Sequence, residues 1–297
     1  MKKLGLFVLG VVLGAAISVP AIRISRNPDT LLGKLRTTIL PLPQPESEEA
    51  GFFSRYGPTK QSEGFEEWIV RDFFQDKRGG VFVDVGAAEY KTGSNTWFLE
   101  YELGWSGVAV DAQDHYRRDW ERYRPQSKFF TFFVSDHSND QTRLFLSKNA
   151  PSVASFQQRF TEQWGGVLGG SVDVPTITLN DLLAGLHVNA FDFLSMDIEL
   201  AEPQALAGLD LQRFKPALVC VEAHHQVRQQ ILDYFAAHHY SIVGKYLRVD
   251  RMNLWFVPAA GTSVESFSLQ PATSPYGFPG AVLQTSQTLR FVLSPIA

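Results

Sequence analysis

Short apolar runs that finish on acidic residues, separated by stretches with helical spacing, constrain this chain more than any other feature. VFVDVG (Val81 to Gly86), GVAVDA (Gly107 to Ala112), KFFTFFVSD (Lys128 to Asp136), FDFLSMDIE (Phe191 to Glu199) and PALVCVEAHH (Pro216 to His225) are short and rich in Val, Ile and Phe. Each reads as a strand buried on both faces. Between them lie SNTWFLEYELG, closed by Gly104, the polar DHYRRDWERY, EPQALAGLD, stopped by Gly208, and QVRQQILDYFAAHH, with Val227, Ile231, Tyr234 and Phe235 on one face. QSEGFEEWIVRDFF precedes them, with Phe65, Trp68, Ile69, Phe73 and Phe74 at helical spacing and Ser62 as candidate N-cap. YSIVGKYL and MNLWFVP close the series as a strand pair. Parallel strands need a crossover between them, so this alternation points to an α/β fold: a mostly parallel sheet with helices on both faces. Ligands of such sheets sit outside the carboxyl ends of the strands. Here those ends are acidic.

Other segments fit less tightly. TRLFLS reads as a further strand, and VDVPTIT leads into a short helix, LNDLLAG. Lys148 to Gly170 lacks a clean period and carries Gly165, Gly166, Gly169 and Gly170, so it reads as a mobile excursion, with Gln158 to Gly170 placed to close over a bound acceptor. PLPQPESEEAG (Pro41 to Gly51) reads as linker. At the start, Lys2 and Lys3 precede a stretch from Leu4 to Ile22 without a charge. That length approaches the ~20 apolar residues of a membrane-spanning helix. It also resembles a secretory signal, with Val19-Pro20-Ala21 as a cleavage stretch. Arg23, Arg26, Lys34 and Arg36 after the span tilt the downstream domain towards the cytoplasm. The expected divisions are an anchor or signal over 1–23, a linker over 24–56, the main domain over 57–258 and an irregular extension over 259–297.

Composition narrows the function. With 44% hydrophobic residues in 297, the chain builds a proper core. A net charge of −4 without a basic block argues against nucleic acid as a partner. Cys220 is the one cysteine, which excludes an internal disulfide and any zinc cluster built on thiolates.

The strand ends form two groups. Asp84 and Gly86 end the first strand, Asp111 ends the second at the distance where an acid meets ribose hydroxyls, and Ser135 and Asp136 end the third, beside the place for a purine edge. The G-x-G-x-x-G cradle for a pyrophosphate is missing: Ala87, Ala88, Glu89, Tyr90 and Lys91 follow Gly86. A nucleoside with a cationic sulfonium and no phosphate suits this set, and S-adenosylmethionine is such a ligand. In the second group, Asp197 and Glu199 share one face of their strand, as do Glu222 and His224 of theirs. These four are candidates for a general base or a clamp on a substrate hydroxyl. Glu202 reads as a helix cap. A divalent metal held by Asp197, Glu199, Glu222 or His224 ranks behind the base, and the reading carried forward assigns no metal.

GVFVDVGAAEYKTGSNTWFLEYELGWSGVAVDA, DFLSMDIELAEPQALAG and KPALVCVEAHH closely resemble the blocks of the FkbM-type methyltransferases, over roughly Gln61 to Pro258. The resemblance implies a class I methyltransferase fold, Rossmann-like, with seven strands of which the last runs antiparallel. It implies S-adenosylmethionine as donor and a hydroxyl oxygen as typical acceptor. The family's first motif falls on Asp84, Gly86, Ser94 and Asn95, its second-strand acid on Asp111, its DxE block on Asp197 and Glu199, and its fifth-strand acid on Glu222. Two blocks depart from the family pattern. The loop after the first strand lacks the family's Asn and second Gly, and Leu200 stands where the DVEG block has its Gly.

The expected function is membrane-anchored O-methylation of a saccharide or small metabolite. A tethered binding domain that keeps the fold without turnover is the rival, with a nicotinamide oxidoreductase behind both.

Overall fold

The computed structural model describes residues 45–259. The apolar stretch over 4–22 and all but the first residue of the extension over 259–297 lie outside them. Among the described residues, no helix is long and apolar enough to cross a membrane.

Seven strands form the main sheet: β1 (Val81–Val85), β2 (Ser106–Asp111), β3 (Ser127–Thr131), β7 (Phe193–Met196), β8 (Leu218–Glu222), β9 (Tyr240–Ile242) and β10 (Asn253–Pro258), in the order β3-β2-β1-β7-β8-β10-β9. Neighbours run parallel except β10, which is antiparallel to both β8 and β9. This is the expected sheet. The chain leaves β1 towards β2 on one side and returns at β7 on the other, which opens a crevice at the carboxyl ends of β1 and β7. Burial explains the apolar runs: every residue of β7 and β8 is buried. Trp105, Phe82, Phe193, Trp255 and Tyr246 fill one side of the sheet, and Trp120, Phe129, Ala109 and Tyr116 pack together in a separate cluster.

The helices are α1 (Pro45–Tyr56), α2 (Glu66–Phe74), α3 (Trp97–Tyr101), α4 (Arg117–Tyr123), α5 (Gln158–Gly165), α6 (Leu179–Gly185), α7 (Glu202–Ala207), α8 (Leu211–Phe214) and α9 (Arg228–Ala237). The first corrects the linker reading over 24–56, whose end is helical. Phe52 and Tyr56, one turn apart, explain it: Phe52 stacks on Trp68 at 6.5 Å between ring centroids, and the Arg71 guanidinium sits 4.5 Å over the Tyr56 ring. Ser62 lies outside the N-cap position, which Phe65 occupies, yet its Oγ accepts from the Glu67 amide at 3.1 Å and satisfies a first-turn donor.

A second sheet, β4 (Phe133–Val134), β6 (Leu168–Ile177) and β5 (Gln141–Ser147), accounts for two further corrections. KFFTFFVSD is two strands: it breaks at Phe132, and β4 pairs with β6 instead of continuing β3. Lys148 to Gly170 is structured, containing α5 and the start of β6. It is tied down by the Ser147 Oγ donating to Gly165 O at 2.5 Å and the Thr161 Oγ1 donating to Phe145 O at 3.2 Å.

Candidate active site

A cavity of about 1020 Å³ opens along the carboxyl ends of β2, β1, β7 and β8. Of the residues expected to bind a cofactor, Asp84, Gly86, Ser94, Asn95 and Asp111 line it. Asp84, next to last in β1, is 4% exposed, and its Oδ2 accepts from the Thr96 hydroxyl at 2.6 Å. Thr96 is held in turn by Arg124, itself 1% exposed, whose Nη2 donates to Thr96 Oγ1 at 3.1 Å and whose Nε meets Glu100 at 2.7 Å. Burial pushes the Asp84 pKa up to about 6, against the pull of the Thr96 hydrogen bond and the Arg124 charge.

Asp111 ties two loops together. Its Oδ2 accepts from the Ala88 amide at 3.0 Å and its Oδ1 from the Gln113 amide at 2.8 Å. Burial raises its pKa to about 6, those two amides draw it down, and the Asp84 charge adds to the rise. A carboxylate offers about four lone-pair sites, so two remain for a ligand's hydroxyls. Ser94 and Asn95 do structural work beside them. The Ser94 Oγ accepts from the Trp97 amide at 3.1 Å, satisfying a first-turn donor of α3, and the Asn95 amide donates to Ser195 Oγ at 3.1 Å, stitching this loop to β7.

Ser135 and Asp136 are not brought to the cavity. Because β4 leaves the main sheet, Ser135 is buried with its amide on Ile177 O, and Asp136 is exposed and pairs with His137 at 2.6 Å. The wall beyond Asp111 is instead Ala112, Gln113 and Phe133.

At the other end, Asp197, Glu199 and Glu222 line the cavity, and His224 stands behind them. The His224 Nε2 lies 3.1 Å from Glu222 Oε1 and 3.4 Å from Glu199 Oε2. Its hydrogen bond to Glu222 raises the His224 pKa, burial opposes, and the charges of Glu222, Glu199 and Glu202 add to the rise. The imidazole therefore serves better as a cationic partner than as a base. Burial and the Glu222 charge lift Glu199 to about 8, with His224 pulling it back. Asp197 is surrounded by protein yet opens into the cavity, so water reaches its oxygens. Enclosure, followed by the charges of Glu222, Glu199 and Glu202, raises its pKa well above the usual range.

Glu202 is not the cap of its helix: Ala201 holds the N-cap position, with no side-chain cap hydrogen bond, and Glu202 begins α7. Its Oε1 accepts from the Ile198 amide, upstream of the helix, at 3.0 Å; the residue is 0% exposed and sits among these acids, where burial and Glu222 raise its pKa to about 7. The spacing Asp197, Glu199, Glu202 was the available signal. Ser155 was missed entirely: its Oγ donates to the Glu199 carbonyl at 2.7 Å. Phe160 and Trp164 of α5 place their rings 4.9 and 5.4 Å from that of His224, so the second sheet and its helix pack on the acid end.

The donor set suits one kind of ligand. Ten of the lining residues are Asp or Glu, and Arg251 is the single Lys or Arg among them. Such a wall repels polyphosphate and favours a cation with hydroxyls.

A family model described as the methyltransferase FkbM domain matches residues 84–242, over half of the chain. The chain belongs to this family. None of the curated proteins matches it. Among solved structures, it is similar to a TehB-like SAM-dependent methyltransferase from Corynebacterium glutamicum, 10% identical over 71% of this chain and 93% of that one, with a TM-score of 0.37. An O-methyltransferase from Bacillus cereus in complex with SAH is 12% identical over 71% and 87%, with a TM-score of 0.34. A SAM-dependent methyltransferase from Geobacter sulfurreducens, in complex with S-adenosyl-L-homocysteine, is 8% identical over 65% and 70%, also at 0.34. Likenesses this distant place no residue and no ligand in this chain.

Proposed function

We propose that this FkbM-family chain is an S-adenosylmethionine-dependent methyltransferase acting on a hydroxyl oxygen of a saccharide or small metabolite. The observation that carries the reading is the single cavity joining Asp111 and Asp84 at one end to Glu199 and Asp197 at the other, at the crevice beside β1. S-adenosylmethionine supplies an electrophilic methyl group on a cationic sulfur. Asp111 accepts hydrogen bonds from the ribose hydroxyls through its remaining lone pairs. Asp84, made rigid by Thr96 and Arg124, walls the methionine end and favours positive charge. Glu199 faces the acceptor as general base: a proton leaves the hydroxyl for its carboxylate as the oxygen–methyl bond forms and the sulfur–methyl bond breaks. His224 holds Glu199 and Glu222 in place. Much of the rate then comes from in-line positioning within one enclosed cleft.

Calorimetric titration of the full chain with S-adenosylmethionine and then NADH tests this. Micromolar binding of the first alone, lost in Asp111→Ala, is expected. A folded protein that binds neither would support the tethered non-catalytic domain instead. We further propose that the segment over 4–22 anchors the protein with this domain on the cytoplasmic side. Protease protection in sealed, oriented vesicles checks that side.

A further inference from the structure

We propose that Asp197, Glu202 and Glu222 hold a hard divalent cation, Mg2+ or Mn2+, at the acceptor end of the cleft. This deepens the methyltransferase reading of the same site and rests on it for its purpose, though not for its geometry. One carboxylate oxygen from each residue lies within 4.8 Å of the other two. Opposite ligands of an octahedral Mg2+ stand about 4.2 Å apart, so small side-chain shifts close the set.

Proximity of acids alone would say little. What points to a ligand is the state of their oxygens. Glu202 is 0% exposed: its Oε1 accepts from the Ile198 amide, while its Oε2 is buried with no partner. Glu222 shows the same division, with Oε1 on His224 Nε2 and Oε2 buried without a partner. Buried polar atoms are almost always satisfied, and an unpartnered one calls for an ion, a proton or a water. The two residues with such oxygens lie on different elements, α7 and β8, and belong to the same close group with Asp197. In both, the second oxygen is fixed by another donor, the arrangement that orients metal-binding carboxylates.

The chemistry of the set selects the cation. Three carboxylates with no thiolate suit Mg2+ or Mn2+ rather than zinc. Asp197 opens into the cavity, so the remaining coordination positions face the place of the acceptor. An acceptor hydroxyl bound there would be acidified before Glu199 takes its proton, and a second hydroxyl beside the first would chelate. Acceptors with vicinal hydroxyls therefore fit best. Glu199, Glu222 and His224 form another close group, but His224 Nε2 already faces both carboxylates.

The test is titration of the EDTA-treated full chain with MnCl2, followed by electron paramagnetic resonance of free Mn2+, with S-adenosylmethionine binding measured on the same sample. The expected result is one Mn2+ per chain, displaced by Mg2+ and weakened at least about tenfold in Glu202→Gln and in Asp197→Asn. Asp197 lies on the cavity wall, so Asp197→Asn serves even where Glu202→Gln fails to fold. Absence of stoichiometric Mn2+, or wild-type affinity in a folded Asp197→Asn, overturns the proposal. Mn2+ bound by a chain that ignores S-adenosylmethionine would keep the cation site and sink the methyltransferase reading.

Discussion

A methyl group placed on Gly86 would lie 1.7 Å from the carbonyl oxygen of Asp197. Gly86 also has φ +81°, in the left-handed region. The glycine that follows β1 therefore lets the ends of β1 and β7 approach each other at the crevice. Gly86→Ala must pay a left-handed penalty and push the end of β7 away. The expected loss is about 2 to 5 kcal/mol in urea unfolding, with S-adenosylmethionine binding impaired in the fraction that folds. Wild-type stability in this variant would contradict the close approach.

Asp111 gives a pH dependence with a defined sign. Its folded pKa is about 6, above the usual carboxylate range of about 4, so between these values the native state holds more protons than the unfolded state. Stability from this group is therefore greatest near pH 4, falls as pH rises towards 6 and is flat above. Asp111→Asn lacks this decline. The advantage of wild type over Asp111→Asn should shrink between pH 4.5 and 6.5, by no more than about 3 kcal/mol. Urea unfolding at several pH values reads it directly, and an advantage that grows with pH would refute the assignment.

The parallel strands of the main sheet and the acids of β1, β2, β7 and β8 were legible because buried parallel strands write themselves as apolar runs. The second sheet was not. Phe132 and Phe133 continue an apolar run without a break in sequence, and only pairing of β4 with β6 takes Ser135 and Asp136 away from the cavity. α1 was hidden by its Pro/Glu start, because its stability comes from Phe52 and Tyr56 packing on α2 rather than from local propensity. Leu200 shows a third kind of limit. It replaces a family glycine but keeps a left-handed backbone at φ +82°, next to Glu199 at +54°, and its side chain is buried at 4% exposure. Side-chain burial offsets backbone strain there, and no local rule would announce it.

Arg124 was invisible for a related reason: nothing marks an arginine in a polar helix end as buried. It is 1% exposed against Glu100 at 3%, with 2.7 Å between them. Arg124→Met leaves the Glu100 carboxylate enclosed without its cation and removes the anchor of Thr96. The expected cost is about 3 to 5 kcal/mol. Adding Glu100→Gln should restore part of it, because the stranded charge is then gone. A double mutant cycle by urea unfolding measures the coupling, and additive losses would show that the pair acts independently.

Ser155 links the inserted sheet to the chemistry. Its hydroxyl donates to the carbonyl of Glu199, the first of two consecutive residues held in left-handed conformations. Such a turn persists only when its surroundings fix it. Ser155→Ala removes two hydrogen bonds, the one donated to Glu199 O and the one its Oγ accepts from the Gln157 amide at 3.2 Å, for about 2 kcal/mol of stability. The loss of turnover should be larger than that figure implies, because Glu199 would no longer be held towards the acceptor. S-adenosylmethionine affinity should stay as in wild type, since Asp84 and Asp111 are untouched. Lower kcat at unchanged cofactor affinity is the signature of a positioning residue. If affinity and kcat fell together, the effect would be a general loosening of the fold, and the link from Ser155 to Glu199 would have no catalytic meaning.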